Sequence, residues 1–116
     1  MKLNIRKIKK IIKALSNNSR CNTEITYDQA KEVLRKNQNS ILLDVRSPQE
    51  YQEFHLPSSY LLPLYELQSK IKEVANKDQI IIIYCQSGGR SKKALEILNN
   101  LGYVNLYTLE GGLDEI

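Results

Sequence analysis

A chain of 116 residues, 41% hydrophobic and 26% charged, has room for one globular domain whose modest core needs no disulfide staple. Its two cysteines, Cys21 and Cys85, are too few for a disulfide framework and point to a reducing, cytoplasmic setting; no apolar run is long enough for a membrane span or a signal peptide. The formal charge of +4 is unevenly spread: residues 1–20 carry seven Lys or Arg and no acid, whereas 21–116 carry ten basic and thirteen acidic groups, a net of −3.

Leu3, Ile5, Ile8, Ile11, Ile12 and Leu15 recur at roughly helical spacing, with Lys2, Arg6, Lys7, Lys9, Lys10 and Lys13 between them. The pattern predicts a basic amphipathic helix, closed by the linker Ser16-Asn17-Asn18-Ser19. Packing of its Ile/Leu stripe on the domain is the favoured expectation. Contact of residues 1–20 with an anionic membrane surface or an acidic partner is the sharper alternative. Nucleic acid is disfavoured, because no aromatic residues are interleaved for base stacking. Residues 1–20 are therefore read as a separate basic element and 21–116 as the domain.

Glu24-Ile25-Thr26 reads as a short strand, and Thr26 as the cap of a helix reaching about Asn37 with Ala30, Val33 and Leu34 inward. Ile41-Leu42-Leu43-Asp44-Val45 is an apolar strand interrupted only by its Asp. Ser47-Pro48-Gln49-Glu50 opens a short helix, with a cap, a Pro at the first helical position and an acid in the first turn. Leu56-Pro57-Ser58-Ser59 turns the chain. Leu64, Leu67, Ile71 and Val74 predict a helix over 64–75. Ile80–Tyr84 is the most apolar strand. A helix over 91–100 ends near Gly102, and 104–109 is a last strand before Glu110-Gly111-Gly112. Alternating helices and apolar strands predict an α/β fold with a parallel sheet covered on both faces. Ligands of such sheets sit beyond the carboxyl ends of the strands, where Cys85 falls.

Cys85-Gln86-Ser87-Gly88-Gly89-Arg90 joins that apolar strand to a helix. A thiol placed there meets backbone N–H groups and the positive end of a helix dipole, both of which favour the reactive thiolate. Residues 86–90 can turn their N–H groups around the sulfur, and Gly88 and Gly89 permit the positive φ that such a nest requires. Ser87 can add a hydroxyl donor. Arg90 supplies a permanent cation, to a substrate anion or to the loop itself. Cys85 is thus a candidate nucleophile for covalent group transfer.

Several segments together resemble the single-domain rhodaneses, the thiosulfate sulfurtransferase family. Leu43-Asp44-Val45-Arg46-Ser47-Pro48-Gln49-Glu50-Tyr51 is similar to the first family signature. His55-Leu56-Pro57 followed by Leu62-Pro63-Leu64 resembles its continuation. Ile82-Ile83-Tyr84-Cys85-Gln86-Ser87-Gly88-Gly89-Arg90-Ser91 is similar to the active loop, and Leu109-Glu110-Gly111-Gly112 to a closing Gly-Gly motif. Phe54 stands where the family usually has Gly, and Ser58-Ser59 where it has Gly-Ala. The resemblance implies a three-layer α/β/α fold with about five parallel strands. It implies a persulfide at Cys85, with Gln86, Ser87, Gly88, Gly89 and Arg90 binding the persulfide and the substrate anion. Sulfur would pass from thiosulfate or a persulfide donor to cyanide or a thiol. Cysteine phosphatases enclose phosphate in a Cys-x5-Arg loop; the shorter Cys-x4-Arg spacing here suits a single sulfur atom.

Other residues have plainer readings. Asp44 is a structural acceptor near its strand end, Glu50 a helix N-terminal acid, His55 a turn residue, and Tyr84 and Tyr103 packing residues. Cys21 is read as incidental. No cluster has metal-ligand spacing and no nucleotide-binding glycine pattern occurs, so no cofactor is expected. Two functions stay open: an enzyme acting on small sulfur compounds, or a carrier that accepts sulfur from one protein and presents it to another.

Overall fold

In the structure, a computed structural model that describes residues 23–116, Ile80–Tyr84 forms the middle strand of a five-stranded parallel sheet. In chain order the strands are Glu24–Ile25 (β1), Ile41–Asp44 (β2), Tyr60–Leu61 (β3), Ile80–Tyr84 (β4) and Asn105–Leu109 (β5). The helices are Tyr27–Lys36 (α1), Pro48–Glu53 (α2), Leu64–Val74 (α3) and Gly89–Asn100 (α4), and a 3-10 turn, Gly112–Glu115, closes the described chain. The strands lie in the order β1-β5-β4-β2-β3, all parallel. The expected basic helix and linker over 1–20, and Cys21, lie outside the described residues.

The sheet divides the core by the two-residue period of a strand. Ile81 and Ile83 pack with Leu67 and Ile71 of α3 and Ala94 and Leu98 of α4. Ile80, Ile82 and Tyr84 pack on the other face with Ala30 and Val33 of α1. The same alternation puts the next residue, Cys85, on the α3/α4 side, fully buried. Every residue of β4 is buried, which is why its sequence is apolar without alternation.

Helix starts follow their capping residues. Thr26 Oγ1 accepts the Gln29 N–H at 3.1 Å, and Gln29 Oε1 accepts the Thr26 N–H at 2.8 Å. Ser47 and Glu50 close the same box on α2. The turn after α2 shows how non-glycine residues fit where the resemblance puts Gly. Phe54 has φ −166°, extended backbone open to any side chain, whereas Ser58 takes φ +65°, a left-handed conformation that L-residues adopt at a cost of about 1 kcal/mol. Tyr84 is more than packing here. Its buried hydroxyl donates to Ser59 Oγ at 2.9 Å and accepts the Leu56 N–H at 3.1 Å, pinning that turn to the sheet. Burial pushes the Tyr84 phenol up to about 12, so it stays protonated.

Between this turn and the end of β2 lies a buried ion pair. Arg46 and Asp44 are 3% and 0% exposed, with Arg46 Nη2 and Asp44 Oδ2 2.8 Å apart. Asp44 Oδ1 also accepts the Arg46 N–H at 2.9 Å and Nε–H at 3.0 Å, and Arg46 Nη2 donates to the Phe54 carbonyl at 2.6 Å. The structural role read for Asp44 is the one seen. Asp44→Ala would leave a buried guanidinium unpaired, a loss of about 3–5 kcal/mol set against a total domain stability of about 5–15 kcal/mol. Urea denaturation should show that loss, and the double variant Asp44→Leu/Arg46→Met should lose less than Asp44→Ala alone.

Candidate active site

The loop 85–88 crosses from the carboxyl end of β4 to the N-terminus of α4, and its backbone converges on one atom. The Gly88 N–H donates to Cys85 Sγ at 3.0 Å and the Ser91 N–H at 3.3 Å. Gly88, the cap of α4, has φ +107°, the left-handed conformation expected of it. Gly89 does not: it is the first residue of α4, which starts two residues before the predicted 91. A side chain at Gly89 would meet open space, so glycine is not required there.

Ser91 Oγ lies 3.5 Å from Cys85 Sγ and 3.0 Å from the Gly88 carbonyl oxygen. A hydroxyl has one proton. With Cys85 as thiol, the chain runs from S–H to Ser91 Oγ and from the Ser91 O–H to Gly88. On ionisation the hydroxyl must turn to the sulfur. Burial pushes the Cys85 thiol up, but hydrogen bonds from the Ser91 hydroxyl and N–H and from the Gly88 and Arg90 N–H groups outweigh it. The net direction is down.

The loop's outer side is held by the closing turn. Leu113 N–H donates to the Cys85 carbonyl at 3.0 Å and Asp114 N–H to the Gln86 carbonyl at 2.9 Å. A Cβ on Gly112 would stand 2.6 Å from both carbonyl oxygens, and its φ is +66°, so only glycine allows this approach. The Gln86 amide donates to Asp114 Oδ1 at 2.7 Å and accepts from Arg46 Nη1 at 3.4 Å. Gln86 therefore ties the loop to its supports, and Ser87 is exposed and makes no hydrogen bond to the sulfur. The hydroxyl beside the sulfur is that of Ser91, not Ser87. Ser91 falls at the third helical position, facing inward. Its signal in the sequence was a small polar residue on an otherwise apolar helix face.

Arg90 meets a partner 40 residues away. Its Nη1 and Nη2 donate to Glu50 Oε1 and Oε2 at 2.6 and 2.9 Å. This fork holds the Glu50 carboxyl down at about 2, against the opposing effect of its partial burial. A cavity of about 410 Å³ beside the loop is lined by Glu50, Glu53, Phe54, Gln86, Leu113 and Arg46 among others. A larger hollow of about 690 Å³ lies by α1 and β3, and none of the loop residues lines it. His55 is exposed, stacked on Tyr51 at 3.7 Å, with its Nδ1 2.8 Å from the Tyr51 carbonyl oxygen, which suits its reading as a turn residue. Among the described residues no three His, Cys, Asp or Glu side chains converge as a metal site would require.

Comparison with known proteins places this chain in a family. The model of the rhodanese-like domain matches residues 26–116. A sulfurtransferase of Allochromatium vinosum is 31% identical over 90 residues, covering 78% of this chain and 83% of that one. The thiosulfate sulfurtransferase PspE of Escherichia coli is 36% identical over 75 residues, covering 64% of this chain and 71% of PspE. The crystal structure of a rhodanese-related protein from Thermoplasma volcanium superposes with a TM-score of 0.68 at 30% identity, covering 79% and 87% of the two chains. The chain belongs to the rhodanese-like domain family, and its fold is the rhodanese-like α/β fold.

The hydrogen bonds at the sulfur make a pH prediction. The ultraviolet absorbance of the thiolate, taken as the difference between the wild type and Cys85→Ser, should rise with a midpoint below the ordinary thiol value of about 8.5. Ser91→Ala removes a donor that stabilises the anion, so its midpoint should move up. A wild-type midpoint at or above the ordinary value would contradict this account of the loop.

Proposed function

We propose that this domain is a sulfurtransferase that carries a sulfane sulfur on Cys85 as a persulfide. Thiosulfate or a persulfide would be the donor, and cyanide or a thiol the acceptor. The observation that carries the reading is the convergence of loop N–H groups on a buried sulfur at the strand-to-helix junction. Such a ring stabilises negative charge on the attacking thiolate and on the persulfide that replaces it. The names of the sulfurtransferase relatives support the class of reaction.

The steps balance without a cofactor. The Cys85 thiolate attacks the outer sulfur of thiosulfate, a new S–S bond forms on Cys85, and the old S–S bond breaks with its electron pair leaving on sulfite. Cyanide or a thiolate then attacks the outer sulfur of the persulfide and restores the Cys85 thiolate. Intact mass after incubation with thiosulfate should rise by about 32 Da, one sulfur atom on the nucleophile. Cyanide should remove it, and Cys85→Ser should never gain it while keeping a native melting transition. An adduct on Cys85→Ser, or none on the wild type with either thiosulfate or cysteine persulfide, would end the proposal.

A further inference from the structure

We propose that Glu50 sets which sulfur donors the site accepts, by holding Arg90 in a closed ion pair that a dianion such as thiosulfate must open and a persulfide need not. The inference rests on the sulfurtransferase reading and names a specificity determinant for it. Arg90 uses both terminal nitrogens on both Glu50 oxygens, so its forked face is already filled. Glu50 is itself anchored: its Oε1 also accepts the Ser47 N–H at 3.1 Å and the Ser47 O–H at 3.0 Å. Glu50, Glu53 and Arg46, but not Arg90, line the cavity beside Gln86, so an anion entering there meets two carboxylates and a guanidinium that Asp44 already holds. The second guanidinium, Arg46, is matched by Asp44. Lys92 and Lys93 are exposed on α4, where solvent and salt screen them. Neither arginine near the loop therefore offers an uncompensated charge to a dianion.

The chemistry makes this matter. Thiosulfate transfer releases sulfite as a dianion, carrying the electron pair of the broken S–S bond. That leaving group gains from a guanidinium, which Arg90 supplies only when Glu50 lets go. A persulfide donor undergoes the same displacement and releases a thiolate of one charge. Glu50 is a positioning residue in this scheme, acting through Arg90.

The test separates charge from folding. Gln29 closes the capping box of α1, so Glu50→Gln keeps the cap of α2 and removes only the charge. Calorimetric titration of thiosulfate into Cys85→Ser, which cannot transfer sulfur, reads anion binding alone. Adding Glu50→Gln should tighten that binding about fivefold, the scale of one exposed ion pair. Replacing both partners, Glu50→Gln with Arg90→Met, should cancel the gain and return binding to within about twofold of the parent. With Cys85 present, Glu50→Gln should lower KM for thiosulfate by a similar factor while loading from cysteine persulfide is unchanged. Unchanged or weaker binding in the titration overturns the proposal, as does a gain that survives Arg90→Met. If the wild type takes sulfur from neither donor, the sulfurtransferase reading fails, and the titration still decides whether Glu50 withholds Arg90.

Discussion

A loop that spends its N–H groups on a sulfur leaves carbonyls of its own to be paired from elsewhere in the chain. That constraint organises the carboxyl edge of the sheet. The loop after β4 aims the Gly88 and Ser91 N–H groups at Cys85 Sγ, and the Cys85 and Gln86 carbonyls of the same segment accept their hydrogen bonds from outside it. Unpaired, two such groups would cost about 1–3 kcal/mol each. The 3-10 turn at Gly112–Glu115 supplies their donors through Leu113 and Asp114. It can come that close because Gly112 has no side chain. The closing Gly-Gly motif is thus the outer half of the same nest.

Charge at this edge is arranged in closed pairs. Asp44 and Arg46 neutralise each other beneath the loop, and Glu50 and Arg90 do so at its rim. Ser47 links the two: it follows Arg46 directly, and its cap on α2 aims the Glu50 carboxylate at Arg90. One turn after β2 therefore fixes both the buried pair that the fold needs and the rim pair beside the nucleophile. The sulfur keeps a polar but nearly neutral surrounding in which backbone dipoles, not a free cation, favour the thiolate.

The sequence was most informative where a single local force decides. Ile80–Tyr84 is an unbroken apolar run because both faces of β4 are covered, and the capping residues Thr26 and Ser47 mark their helices to the residue. The place of Cys85, just beyond the carboxyl end of β4, follows from chain order. What escaped depends on distant partners. β3 is two residues long and only half covered, so Tyr60 and Leu61 carry no periodic signal; their strand exists because Leu43 and Asp44 lie beside them. Arg90 could be read as a cation, but its commitment to Glu50 spans 40 residues. The start of α4 was placed two residues late because Gly89 is a poor helix former whose position is fixed by Gly88 at positive φ. Ser87 looked like the hydroxyl donor by adjacency. The helical turn instead carries Ser91 back over the sulfur.

Burial narrows the chemistry further. Cys85 is only 1% exposed, a poor position for attack on a bulky electrophile. The proposed cargo relieves this. A persulfide would place the reactive atom one S–S bond, about 2.05 Å, beyond Cys85 Sγ. The sulfur of Cys85 itself would remain under the N–H donors, and the transferable sulfur would be the one offered to a small acceptor. A loop one residue longer would widen the ring for a tetrahedral oxyanion, whereas this ring closes on a single atom. Glu50 and Arg90 then stand at the rim, not at the base. In the proposed scheme the nest would govern reactivity, and the rim pair would govern which donors the site accepts.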